Sequence, residues 1–150
     1  MPGLKDQLRN DLTTAMKARD ELRTATLRMV LAAVSAEEVS GKEARELSDD
    51  EVQAVLRREA KKRREAADAF GAAGRAQQAQ REQAEGEVLA DYLPVQLGDA
   101  DLAAIVADVV TRTGASGRKD MGKVMGAANG VVAGRADGAR VAAEVRRQLG

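Results

Sequence analysis

The sequence predicts an all-α protein built as two helical units, and three observations carry that prediction. Ala, Leu, Arg, Glu and Gln are abundant, while the aromatics are only Phe70 and Tyr92 and there are two prolines, a composition that favours helix and starves a sheet. Apolar residues recur at three- and four-residue spacing through most of the chain, with no competing alternation. Pro94, in YLPVQL, prevents simple continuation of a helix near the middle and sets a boundary between an amino-terminal helical domain, residues 1–94, and a small three-helix domain, residues 95–150.

The elements follow in order. Leu4, Leu8, Leu12 and Met16 make one apolar stripe on a first helix from about Gly3 to Ala18. Asp20 is the N-cap of a second, with Leu27, Val30, Leu31 and Val34 on one side and Gly41 as its terminating residue. In LSDDEV, Ser48 and Glu51 form a capping box while Leu47 and Val52 occupy the hydrophobic-staple positions, so a third helix starts there and runs to about Phe70. Gly71 and Gly74 break it, and a polar fourth helix extends from about Arg75 to Tyr92. Beyond Pro94, Leu97 and Leu102 bracket Gly98 as N-cap of a fifth helix, whose face of Leu102, Ile105, Val106, Val109 and Val110 stops before Gly114. A sixth starts near Ser116 or Gly117 and ends at Gly134. The seventh is capped by Asp137 and presents Val141, Val145 and Leu149.

Composition removes most familiar chemistry. Without cysteine or histidine there is no thiolate nucleophile, no disulfide framework, no thiolate zinc site and no imidazole base; no catalytic residue, metal site or cofactor is expected. The amino terminus, MPGLKDQLRNDL, has no secretory pattern, and the longest uncharged run, Val124 to Gly134, is too short to span a membrane. A cytoplasmic protein is expected. Net charge is zero, which argues against binding nucleic acid by bulk charge alone. The bases are nevertheless concentrated at the end: from Thr111 onward Arg112, Arg118, Lys119, Lys123, Arg135, Arg140, Arg146 and Arg147 face only Asp120, Asp137 and Glu144.

The feature that most needs a reason lies there. In DMGKVMGAANGVVAGRADG, Gly122, Gly126, Gly130, Gly134 and Gly138 fall every four residues, although an interior helical glycine costs about 0.8–1 kcal/mol relative to alanine. Gly117 to Lys123 matches the start of a phosphate-binding loop, but Val124 stands where Ser or Thr would hold magnesium, and the preceding segment reads as helix rather than strand. A membrane dimerisation face needs a longer apolar helix. On a helical wheel Met121, Val124, Met125, Ala128 and Val132 form the core-facing stripe. Gly126 and Gly130 lie roughly opposite, on the side of Lys119 and Lys123. Two readings of that face stay open: close packing against another helix or the amino-terminal domain, and approach of a nucleic-acid backbone. Gly134 and Gly138 are explained as the C′ residue and the residue after the Asp137 cap.

Other clusters read as structural. The run RREAKKRR, Arg57 to Arg64, is a solvated helix face balanced by Glu59, Glu65 and Asp68. Glu37-Glu38 and Asp49-Asp50 are not catalytic pairs, because neighbouring side chains on a helix diverge by about 100°. Met16, Met29, Met121 and Met125 are expected to fill the core.

Three stretches together, Tyr92-Leu93-Pro94-Val95-Gln96-Leu97, Asp120-Met121-Gly122-Lys123-Val124-Met125-Gly126 and Gly134-Arg135-Ala136-Asp137-Gly138, resemble the YqeY family over essentially the whole chain. That family is similar to the tail of the B subunit of the tRNA-dependent Asp/Glu amidotransferase, a glutamine-dependent carbon-nitrogen ligase whose tail is implicated in holding tRNA while its chemistry sits elsewhere. The resemblance implies a non-catalytic tRNA-binding or tRNA-metabolism accessory protein, with Lys119, Gly122, Lys123, Gly126, Gly130, Gly134 and Arg135 as tRNA contacts. It implies ligase kinship without the ligase's own catalytic parts. Its partners would be tRNA and a protein of tRNA metabolism, not a membrane. The alternative is a helical protein-interaction module with no RNA contact.

Overall fold

The computed structural model describes residues 3–150, and among them the fold is all-α, as expected, with no strand. Its helices are α1 (Leu4–Lys17), α2 (Glu21–Glu38), α3 (Asp49–Ala72), α4 (Ala76–Ala90), α5 (Asp99–Thr113), α6 (Met121–Val132) and α7 (Gly138–Leu149), with a 3₁₀ turn at Arg118–Asp120 before α6. Two compact units are formed: the first ends at Leu93, and the second begins at Pro94.

The first unit packs Leu8, Leu27, Val30, Val34, Val52, Val55, Leu56 and Leu89 into one core closed by Tyr92. Helix starts are set by local chemistry. Asp20 accepts from Arg23 N–H at 3.0 Å, and Ser48 and Glu51 form the reciprocal capping box, with both staple residues, Leu47 and Val52, buried. Arg45 and the Ser48 N–H hold the Glu51 carboxyl down at about 2.

Several boundaries differ from expectation. α2 ends at Glu38 rather than at Gly41, because the Ser40 hydroxyl caps the Glu37 carbonyl at 2.8 Å and Arg45 N–H caps the Glu38 carbonyl at 3.0 Å. The Glu38 side chain then pairs with Lys5 at 2.8 Å and accepts from Leu47 N–H, two bonds that hold its carboxyl below the usual range and pin the loop before α3. Gly71 stays inside α3, and the reversal comes at Gly74, whose φ of 75° favours glycine. Met16 is 48% exposed rather than buried, and Ala15 takes its place. A four-residue step overshoots a helical turn by about 40°, so three steps from Leu4 have left the core face, while Ala15 is back on it.

Tyr92 supplies a pH test. Its hydroxyl donates to Asp11 at 2.6 Å, and burial, then the Asp11 bond and charge, push the phenol up to about 12 against an ordinary value of 10.0. A raised phenol favours the fold fully below the unfolded value, and that contribution disappears as pH rises through the folded one. The first unit should therefore lose stability between pH of about 10 and 12, and Tyr92→Phe should flatten that part of the profile. Since the chain has one tyrosine, phenolate absorbance of the intact protein checks the titration directly.

The second unit, α5 to α7, closes on Leu102, Val106, Val109, Val124, Ala128, Val132, Val141 and Val145. Gly98 is the N-cap of α5 and Gly114, at φ 68°, ends it. Asp137 caps α7, accepting from Ala139 N–H. α6 starts later than the sequence suggested: the 3₁₀ turn comes first, and Asp120 uses its carboxylate to accept from Ser116 N–H at 3.0 Å.

Candidate nucleic-acid interface

α6 is placed by its buried edge. Val124, Ala128 and Val132 are buried in the second core and Met121 and Met125 are packed against it, which fixes the helix's rotation and turns the glycines out. Gly122, Gly126 and Gly130 share an arc of about 80°, with Val124 roughly 160° from its centre. All three are exposed. A Cβ added at any of them would meet no atom within 4 Å, so packing inside the second unit is not what these glycines serve. Gly134 does have a local reason: it lies at φ 80°, following Ala133 at φ 49°, and the two left-handed residues end α6.

The cations divide into two kinds. The side chains of Lys119 and Arg118 are exposed and make no hydrogen bond or ion pair among the described residues. Lys123 is exposed but donates from Nζ to the Thr113 carbonyl at 3.0 Å, capping the carboxyl end of α5, where a helix dipole welcomes positive charge. It keeps its charge and two further N–H groups. Arg135 is half-buried and caps α6 itself, with Nε to the Val132 carbonyl at 3.0 Å and Nη2 to the Val131 carbonyl at 2.8 Å. Arg135 thus has a structural task that its place in the motif did not disclose. The remaining bases of the region, apart from exposed Arg146, are matched: Arg112 with Asp108 at 2.7 Å, Arg140 with Asp99 at 2.9 Å, and Arg147 with Glu144.

Positive charge is therefore left over around the start of α6, at Arg118, Lys119 and Lys123. Asp120 stands at the N-cap position of that helix with its carboxylate turned to the Ser116 N–H, so it offsets part of this charge and two of the three cations remain in excess. The phosphate-loop reading fails structurally as well, since the segment before Gly117 is helix α5.

Two of the three motif stretches are joined by backbone contacts. Leu97 N–H donates to the Arg135 carbonyl at 2.7 Å, and the Gln96 amide donates to the carbonyls of Pro94 and Gly134. Sequence reasoning named Gln96 and Arg118 without placing either among the candidate contacts; the bonds of the first are legible only once the chain returns to the 134–135 turn. Among the described residues no group of three or more acids is arranged to hold a metal ion, and no helix is long and apolar enough to cross a membrane.

The family model described as Yqey-like protein matches residues 5–149, and the chain belongs to that family. No curated protein matches it.

Proposed function

We propose that this member of the YqeY family is a non-catalytic accessory of tRNA metabolism, and that it holds tRNA against the exposed face of α6. The observation that carries the reading is the open glycine face. Gly126 and Gly130 weaken a helix interior by about 0.8–1 kcal/mol each, and nothing in their own unit takes up the space they leave. Bare backbone beside unpaired cations suits a partner that must approach closely and carries negative charge. A nucleic-acid backbone does both. Lys119, Lys123 and Arg118 supply the charge, Gly122, Gly126 and Gly130 the approach, and Gly134 and Arg135 fix the end of the helix. Kinship with the amidotransferase tail supports tRNA as the nucleic acid. It does not bring catalysis, because no residue of this chain stands in for the ligase's reactive centres.

Titration with unmodified tRNA at several salt concentrations tests the proposal. Binding should weaken steeply with salt, and Lys119→Ala, which breaks no bond within the protein, should lower the slope of log affinity against log salt by about 0.9. Arg57→Ala, on α3, should leave the slope unchanged. Absence of binding at low salt, or equal losses from the two variants, would remove the α6 face as a tRNA site and leave the protein-interaction reading.

A further inference from the structure

The α3–α4 hairpin of the first unit is not uniformly built. Its base is apolar: Val52, Val55 and Leu56 on α3 and Val88 and Leu89 on α4 belong to the main core. Farther out, only Ala67 and Ala79 are buried, with Phe70 half-buried near the tip. Between base and tip lies a layer of charge. Arg63 reaches Glu59 at 3.2 Å on its own helix and Glu82 and Glu85 at 3.5 and 3.8 Å on α4. These side chains are largely buried, and Lys62 and Arg81 attach to the layer through Glu59 and Glu85. The helices come close here, since a Cβ at Gly86 would lie 3.8 Å from Arg63 Cβ.

We propose that the outer half of this hairpin, residues 64–84, opens and closes as one cooperative unit while the base stays folded, with the Arg63 layer as its latch. Hydrophobic drive scales with buried apolar area, and two alanines with a half-buried Phe70 bury far less than the five large side chains at the base. The latch is itself delicately balanced, because ions taken from water regain most of their lost hydration when the layer opens, and Arg63 Nε is buried without a partner. The turn adds little resistance. Gly71 sits inside α3, Gly74 has a positive φ, and α4 starts at Arg75 without a side-chain cap. Gly86, just inside the layer, is the weak point at which α4 can give. This inference concerns the first unit and is independent of the tRNA reading.

Amide hydrogen exchange on the intact chain, resolved by peptide, tests it. Residues 64–84 should exchange with one common opening rate about 100-fold or more above that of Val52–Leu56 and Val88–Leu89. Arg63→Ala should raise the outer rate a further tenfold or so without moving the base, since a buried carboxylate cluster without its cation is strongly unfavourable. Should that variant not fold, Glu82→Gln offers a milder change with the same outer-only signature. Equal protection in tip and base, a gradient rising smoothly toward Ala73 as in ordinary end fraying, or rates that rise equally everywhere in either variant would each overturn the proposal.

Discussion

Leu56→Ala should cost the first unit about 2–5 kcal/mol, the range for removing a fully buried leucine from a core that cannot collapse around the gap. Leu56 has no exposed surface and stands where α3 enters the core shared with Leu8, Leu27 and Leu89. Each kcal/mol lowers the midpoint of a domain this size by about 4–8 °C, so the shift is large enough to read directly from a denaturation curve. The loss should be confined. Tyr92, the chain's one tyrosine, belongs to the first core, so its fluorescence follows that unit, while helical circular dichroism follows both. In the variant the tyrosine transition should move to lower denaturant and part of the dichroism should stay at the original midpoint, carried by residues 94–150. A single transition displaced as a whole would mean that the two units stabilise each other and do not unfold separately.

How far the molecule could be read beforehand depended on the range of the forces involved. Asp20, Ser48 with Glu51, and Asp137 announced helix starts because a capping side chain bonds to backbone within three residues, and Gly98 because Leu97 and Leu102 bracket it; the structure has all four in those positions. The core face of α6 was legible because helical periodicity alone separates Val124, Ala128 and Val132 from the glycines. Met16 misled because an exact four-residue stripe drifts around the helix, and only the position of α2 decides which residue stays covered. Arg63 was hidden in a run of bases: that it reaches Glu82 and Glu85 follows from the α3–α4 reversal, which no local signal specifies. The same holds for Lys123 and Arg135. Their spacing matched a motif, yet the carbonyls they cap, Thr113, Val131 and Val132, were visible only in three dimensions. What remained for the candidate site was the open space above Gly122, Gly126 and Gly130, a property of the assembled unit rather than of any window of sequence.

That open space makes the double variant Gly126→Ala with Gly130→Ala the most informative test of the site. Both glycines are helical, neither has a positive φ, and neither added methyl would meet another atom within 4 Å. Alanine should therefore stabilise the second unit by up to about 1 kcal/mol at each position through helix propensity alone, read as a higher denaturant midpoint of the dichroism that residues 94–150 contribute. If tRNA rests on this face, the same methyl groups stand between backbone and backbone. Overpacking of about 1–3 kcal/mol then translates into roughly 5- to 150-fold weaker binding, with the salt slope unchanged because no charge has been removed. Opposite signs for stability and affinity are the signature: a variant that folds better and binds worse shows that the glycines are kept for contact. Lost affinity together with lost stability would indicate a disturbed fold, and greater stability with unchanged tRNA affinity would exclude RNA contact at these glycines. In that last case the face would be left for a helix of another protein, where close approach of backbones rewards glycine without any need for the neighbouring Lys119.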